Sequence, residues 1–154
     1  MREITECLKE EHRALEESLD ALEAAIASGS GLAECVSRAA ARAREHYRRE
    51  AAFLDRLGQY EPELAAKLRA QHEEACEMAE HFEQAREAEQ IGDMCALARR
   101  FHAIAQHNLI EEERDGFPLA VRCFTNREQR ELIDTLAEAG LGTKTPSRRA
   151  GNSR

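Results

Sequence analysis

The feature that most constrains this chain is a row of apolar side chains at helical spacing that two polar residues interrupt. From residue 32 to residue 57, apolar or small side chains recur at steps of three and four, which places them on one helix face: Leu32, Val36, Ala39, Ala43, Phe53 and Leu57. His46 and Glu50 occupy the two positions of this row that lie between Ala43 and Phe53. One helical turn apart, they project from the same side of the helix. The pattern predicts a long helix whose inward face carries an imidazole and a carboxylate.

Three other segments show the same periodicity, and each carries a histidine in its apolar row. The first helix is predicted from Arg2 to about Ala27, with His12 on its inward face, and the third begins at Pro62 and carries His72. The fourth is predicted to direct Leu97, Phe101 and Ile104 inward, to continue with His107 and Glu111, and to end at Gly116-Phe117-Pro118. A capping box of Thr125 and Glu128 begins a short fifth helix that extends to about Ala139.

Four long helices joined by short turns predict an all-α fold, an antiparallel up-down-up-down four-helix bundle with a short C-terminal fifth helix. We expect the bundle at residues 1–124, the C-terminal helix packed on it at 125–140, and a flexible tail at 141–154. In such a bundle, residues equidistant from a turn lie level with each other. Six polar residues then fall within about one or two turns of one level: His12, His46, Glu50, His72, His107 and Glu111.

Charge and composition exclude several classes of partner. The net charge of −8 argues against nucleic acid or an anionic membrane as the main partner. The sequence has neither an apolar run of about 18 residues nor an apolar signal region at its start. Its five cysteines form no close pairs, which favours free thiols in a reducing compartment. We therefore expect a cytoplasmic protein that binds neither nucleic acid nor membrane, and no sequence feature identifies a protein partner.

Six inward-facing polar residues at one level are costly unless something neutralises them. An unpaired buried polar group costs about 1–3 kcal/mol, and a buried carboxylate several. The set could consume on the order of 10 kcal/mol, which is comparable to the whole stability of a domain. Since no Lys or Arg occupies these positions, we predict a bound metal, and imidazole with carboxylate suits iron, manganese or zinc. The alternative is a metal-free bundle in which the polar residues specify the packing.

The order of these residues resembles the hemerythrin-like, or HHE cation-binding, domains. The resemblance lies in His12, His46-x-x-x-Glu50, His72 and His107-x-x-x-Glu111, and in an acidic stretch ending in Phe-Pro, and it covers about residues 1–124. It implies a non-haem di-iron centre, with two iron ions joined by an oxo or hydroxo bridge and with manganese or zinc as substitutes. Two glutamates could bridge the metals and four histidines could bind them, two per metal, which leaves one open position on each metal.

The chain departs from the oxygen-carrying hemerythrins at two positions. They have a second histidine one turn after the third-helix histidine, where this chain has Cys76. They also carry a carboxylate five residues after the fourth-helix histidine, so Glu112 competes with Glu111. On an α-helix Glu111 lies about 40° from His107 and Glu112 about 140°, which favours Glu111.

The family resemblance implies a protein that binds or processes a small oxidant, namely peroxide, nitric oxide or dioxygen. Open metal positions favour turnover of peroxide or nitric oxide, a catalase-like or NO-peroxidase-like activity in oxidative or nitrosative stress. No single catalytic residue follows from the sequence. The alternative is a non-enzymatic iron- or oxygen-responsive sensor or iron-binding protein.

Overall fold

The computed structural model describes residues 2–141, and all of their regular structure is helical, as predicted. Six α-helices lie in these residues: α1 Ile4–Ser28, α2 Leu32–Tyr60, α3 Pro62–Glu87, α4 Ile91–Glu111, α5 Phe117–Cys123 and α6 Asn126–Leu141. A π-helical segment, Glu112–Gly116, joins α4 to α5. Among the residues described, no helix combines the length and the apolar character that crossing a bilayer would require.

The four long helices form a bundle in which α1 packs against α2 and α4, and α3 packs against the same two helices. The connections span residues 29–31, 61 and 88–90. Because these connections are so short, each helix reverses the direction of the one before it. Gly29 and Gly31 both have φ of 71°, a left-handed conformation that glycine adopts without a steric penalty. α6 lies across the bundle against α1 and α2.

The fourth helix does not end at Gly116-Phe117-Pro118, so that prediction was wrong. The backbone passes from the π segment straight into α5, and the Phe117 N–H bonds the carbonyl of Glu112, five residues earlier. Pro118 lies in the first turn of α5, where a missing N–H costs little. A wider π turn thus lets the helix continue past residues that normally stop an α-helix.

The C-terminal helix begins as its capping box predicts. The Glu128 N–H bonds Thr125 Oγ1 at 3.2 Å, and the Thr125 N–H bonds Glu128 Oε2 at 2.8 Å. α6 continues to Leu141, and the remainder of the predicted tail, residues 142–154, lies outside the described residues.

A layer of polar residues divides the core into two apolar clusters. We call this the polar layer, and it consists of His12, His46, Glu50, His72 and Glu112. The first apolar cluster lies toward the turns at 29–31 and 88–90, and its large members are Leu15, Leu19, Leu22, Tyr47, Met78, Phe82, Phe101 and Leu109. The second lies at the opposite end of the bundle, and its large members are Ile4, Leu8, Phe53, Leu54, Leu57, Leu68, Phe117, Phe124, Leu132 and Leu136.

Candidate metal centre

Four members of the polar layer meet at the centre of the bundle. His12 comes from α1, His46 and Glu50 come from α2, and Glu112 is the first residue of the π segment. His12, Glu50 and Glu112 are completely buried, and His46 is 4% exposed. Each residue offers one ligand atom, and these four atoms lie within 4.8 Å of one another. An enclosed group of two imidazoles and two carboxylates at this spacing could hold a metal ion.

The two carboxylates approach the histidines of α1 and α2 closely. His12 Nε2 lies 3.0 Å from Glu112 Oε2 and 3.9 Å from Glu50 Oε1. His46 Nε2 lies 3.2 Å from Glu50 Oε2. The two imidazole rings meet edge to face, with their centroids 4.8 Å apart. The Nε2 atoms of both rings therefore face the same pair of carboxylates.

His72 of α3 adjoins the same carboxylates. Its Nε2 lies 2.7 Å from Glu112 Oε1 and 3.5 Å from Glu50 Oε2, and the residue is 7% exposed. Glu112 thus presents one oxygen to His12 and the other to His72. The ring of Tyr47 stacks on the His72 ring, with a centroid distance of 3.9 Å and an interplanar angle of 11°.

Several buried atoms of the polar layer lack a hydrogen-bond partner among the described residues. They are both ring nitrogens of His12, His46 Nε2, both carboxylate oxygens of Glu50, and Glu112 Oε2. The contacts of His12 and His46 Nε2 with the two carboxylates therefore lack the alignment of a hydrogen bond, whereas His72 Nε2 is hydrogen-bonded to Glu112 Oε1. An unsatisfied buried polar group costs about 1–3 kcal/mol. A cation bound between these nitrogens and oxygens would satisfy them together, so the residues present fit a metal ion.

In the absence of a metal, the carboxylates favour the protonated form of the histidines around them. Burial is the strongest influence on His12 and lowers its pKa, but Glu112 and Glu50 together outweigh burial and raise the pKa to about 9. Burial likewise opposes protonation of His46, but Glu50 and Glu11 hold its pKa well above the usual value. Burial would raise the pKa of Glu112, yet the three histidines hold it well below its usual value. A metal must therefore compete with bound protons.

His107 and Glu111 do not join the polar layer. The His107 side chain is 58% exposed, and its Nε2 lies 2.8 Å from Glu111 Oε1. Glu111 is buried, but its carboxylate pairs with Lys67 Nζ at 2.9 Å and accepts a hydrogen bond from Gln71 at 2.8 Å. Of the six predicted residues, the structure therefore brings together His12, His46, Glu50 and His72, and it places Glu112 where Glu111 was expected.

The inward face of α4 explains the difference. Its buried residues include Ala98, Phe101, Ala105 and Asn108, and Glu112 follows them at the same steps of three and four. The prediction instead placed Leu97 and Ile104 inward, but these larger side chains lie at the margin of the first apolar cluster. The row of Ala98, Phe101, Ala105 and Asn108, at steps of three and four, was the signal that pointed to Glu112.

Cys76 lies one turn after His72 and is outside the group of potential ligand atoms. Burial raises the pKa of its thiol, although Arg44 opposes the shift. Because the thiolate is the form that binds metals and reacts, this environment favours an inert thiol.

The geometry of the polar layer is the basis for a functional assignment, because similarity to known proteins supplies none. Comparison of the chain with protein-family models, with curated proteins and with solved structures found no match.

Proposed function

We propose that this protein is a hemerythrin-like non-haem iron protein whose polar layer binds two iron ions and exposes them to a small oxidant. The observation that carries the proposal is the buried group of His12, His46, Glu50 and Glu112, whose ligand atoms lie within 4.8 Å of one another. His72 extends this group, since it contacts both carboxylates. Imidazole and carboxylate together are the ligands of non-haem iron, and manganese or zinc would accept the same set.

The contacts within the polar layer indicate which residues could hold each of two ions. His12 and His46 would hold one ion together with the oxygens of Glu50 and Glu112 that face them. His72 would hold the second ion with Glu112 Oε1 and with Glu50 Oε2, an oxygen that also faces His46. Bound iron would supply a redox centre with coordination positions for an exogenous ligand. The protein itself supplies the negative charge of Glu50 and Glu112, which would lie between the ions, and a buried site that excludes bulk water.

The number of histidines favours turnover over reversible storage of the oxidant. Three histidines contact the two carboxylates, and His107 does not. Fewer protein ligands leave more coordination positions open to small molecules. We therefore favour decomposition of peroxide, in which two hydrogen peroxide molecules give one dioxygen and two water molecules, or turnover of nitric oxide. A sensor or an iron-binding protein is the second candidate, because the enclosed layer would also suit a single, slow ligand-binding event.

The first experiment measures the metal content of protein purified without added metal. We expect about two irons per chain in the wild type, and none in the His46→Ala, Glu50→Ala double variant, since that variant lacks two members of the group. His107→Ala is the matched control and should keep its iron because His107 lies on the surface. Full iron content in the double variant would refute the assignment.

The second experiment separates the two candidate functions. Hydrogen peroxide is added to iron-loaded protein while dioxygen and the absorption spectrum are recorded. Steady evolution of dioxygen identifies an enzyme that turns over peroxide. A single spectral change without turnover identifies a sensor or a binding protein.

A further inference from the structure

His46 contacts a carboxylate at each of its two ring nitrogens. Its Nε2 faces Glu50, and its Nδ1 lies 3.1 Å from Oε2 of Glu11, a residue of α1. A carboxylate accepts hydrogen bonds and cannot donate them, so His46 Nδ1 must donate in this contact. In a neutral imidazole the other nitrogen then carries a lone pair. The contact with Glu11 thus directs the lone pair of Nε2 toward the polar layer.

Glu11 is itself held in place by Arg49 of α2. The Arg49 guanidinium pairs with Glu11 Oε1, which leaves Oε2 for His46. Both side chains are partly buried, with 19% of Glu11 and 24% of Arg49 exposed. They line a cleft of about 430 Å³ between α1 and α2 that reaches His46. Because each Glu11 oxygen has its own partner, the carboxylate has little freedom to rotate.

We propose that Glu11, fixed by Arg49, is a positioning residue for the metal centre. It holds the His46 ring in the orientation and tautomer that present Nε2 to a metal, and its charge strengthens His46 as a donor. This inference rests on the proposed function, since it assigns a second carboxylate to one ligand of the same centre. Carboxylates that support a histidine ligand in this way contribute about 10- to 100-fold to metal affinity.

The second ring nitrogen differs in its partner from one histidine to the next. His12 Nδ1 lies 3.5 Å from the partly exposed carboxylate of Glu113 without forming a hydrogen bond, whereas His46 Nδ1 is hydrogen-bonded to Glu11. The Tyr47 ring, which carries no charge, stacks on His72, whereas His46 has the Glu11 carboxylate at its second nitrogen. Loss of Glu11 should therefore weaken the ion bound by His12 and His46 more than the ion bound by His72.

The test is a titration of metal-free protein with Co²⁺ alone. The absorption bands of bound Co²⁺ report the ligand geometry, and competition against a chelator measures the affinity. Glu11→Ala should weaken the tighter Co²⁺ site by about 10- to 100-fold and shift its absorption bands. Glu11→Gln retains an acceptor oxygen and should restore most of the affinity and the original bands. Glu45→Ala is the matched control, because Glu45 lines the same cleft but pairs with Arg48. The metal-free variants should all melt close to the wild type.

The outcomes separate this inference from the proposed function. If the wild type binds Co²⁺ and Glu11→Ala binds it with the same affinity and spectrum, Glu11 is not a positioning residue and the proposed function stands. Equal losses in Glu11→Ala and Glu45→Ala, with lower melting temperatures, would also overturn the inference, since they indicate a structural defect. If the wild type binds no Co²⁺, the proposed function fails and the inference fails with it.

Discussion

Replacing Glu112 with glutamine should abolish tight metal binding, whereas the same change at its neighbour Glu111 should not. Glu112 is completely buried, and its two oxygens lie 3.0 Å from His12 Nε2 and 2.7 Å from His72 Nε2. Glutamine preserves the shape of the side chain but removes the negative charge that faces the metal. Removing one partner of a buried charge pair costs about 3–5 kcal/mol. At about 1.4 kcal/mol per factor of ten, this corresponds to a loss of about 100-fold to several thousand-fold in affinity.

Glu111 provides the control because its carboxylate is engaged elsewhere. It pairs with Lys67 at 2.9 Å and with the exposed His107 at 2.8 Å. Glu111→Gln should cost about 1 kcal/mol or less of folding stability, as expected for ion pairs with exposed partners, and should leave metal affinity nearly unchanged. Competition with a chelator measures the affinity, and thermal unfolding with and without metal measures the coupling to stability. Loss of metal in Glu111→Gln, together with retention in Glu112→Gln, would refute the assignment of Glu112.

Two further predictions concern the metal-free protein. Folding raises the pKa of His12 from 6.5 to about 9, so its stabilising contribution is complete below pH 6.5 and is lost as the pH rises through about 9. The raised pKa of His46 contributes a loss in the same direction. Chemical denaturation should therefore show a loss of stability over this range that is about 3 kcal/mol larger in the wild type than in His12→Gln, and identical pH profiles would contradict this. Phe117→Ala should lower the free energy of unfolding by about 3–5 kcal/mol. The reason is that Phe117 is 2% exposed and its ring contacts both His12 and Phe53. A loss below about 1 kcal/mol, measured by chemical denaturation, would contradict the position of Phe117 in the core.

The sequence was sufficient to place a polar residue inward wherever that residue interrupts a clear row of apolar or small residues at helical spacing. His12 follows Leu8 and precedes Leu15, and His72 lies between Leu68 and Ala75, so helical periodicity alone placed both inward. The same reasoning placed His46 and Glu50. The all-α fold followed because four long segments share this spacing.

Periodicity failed on α4, where small and large apolar residues stand next to each other in the sequence. Phe101 is buried as predicted, but the residues buried beside it are Ala98 and Ala105, whereas the larger Leu97 and Ile104 are only partly buried. His107 follows the predicted face to the surface, and Glu111, although buried, pairs with Lys67 and Gln71 outside the polar layer. The continuation past Pro118 could not be predicted from α-helical rules either, because it depends on a π turn that changes the hydrogen-bond spacing.

The division of the core into two apolar clusters affects how the bundle unfolds locally. Few apolar contacts cross the polar layer, so each end of the bundle can exchange its amide protons without the other. Among the described residues, α5 and α6 contribute to the second apolar cluster only. A cation held by α1, α2 and the π segment would tie the ends together. Amide exchange should then change from two separate protection levels without metal to a single cooperative unit with metal, and the metal would set how much of the chain unfolds at once.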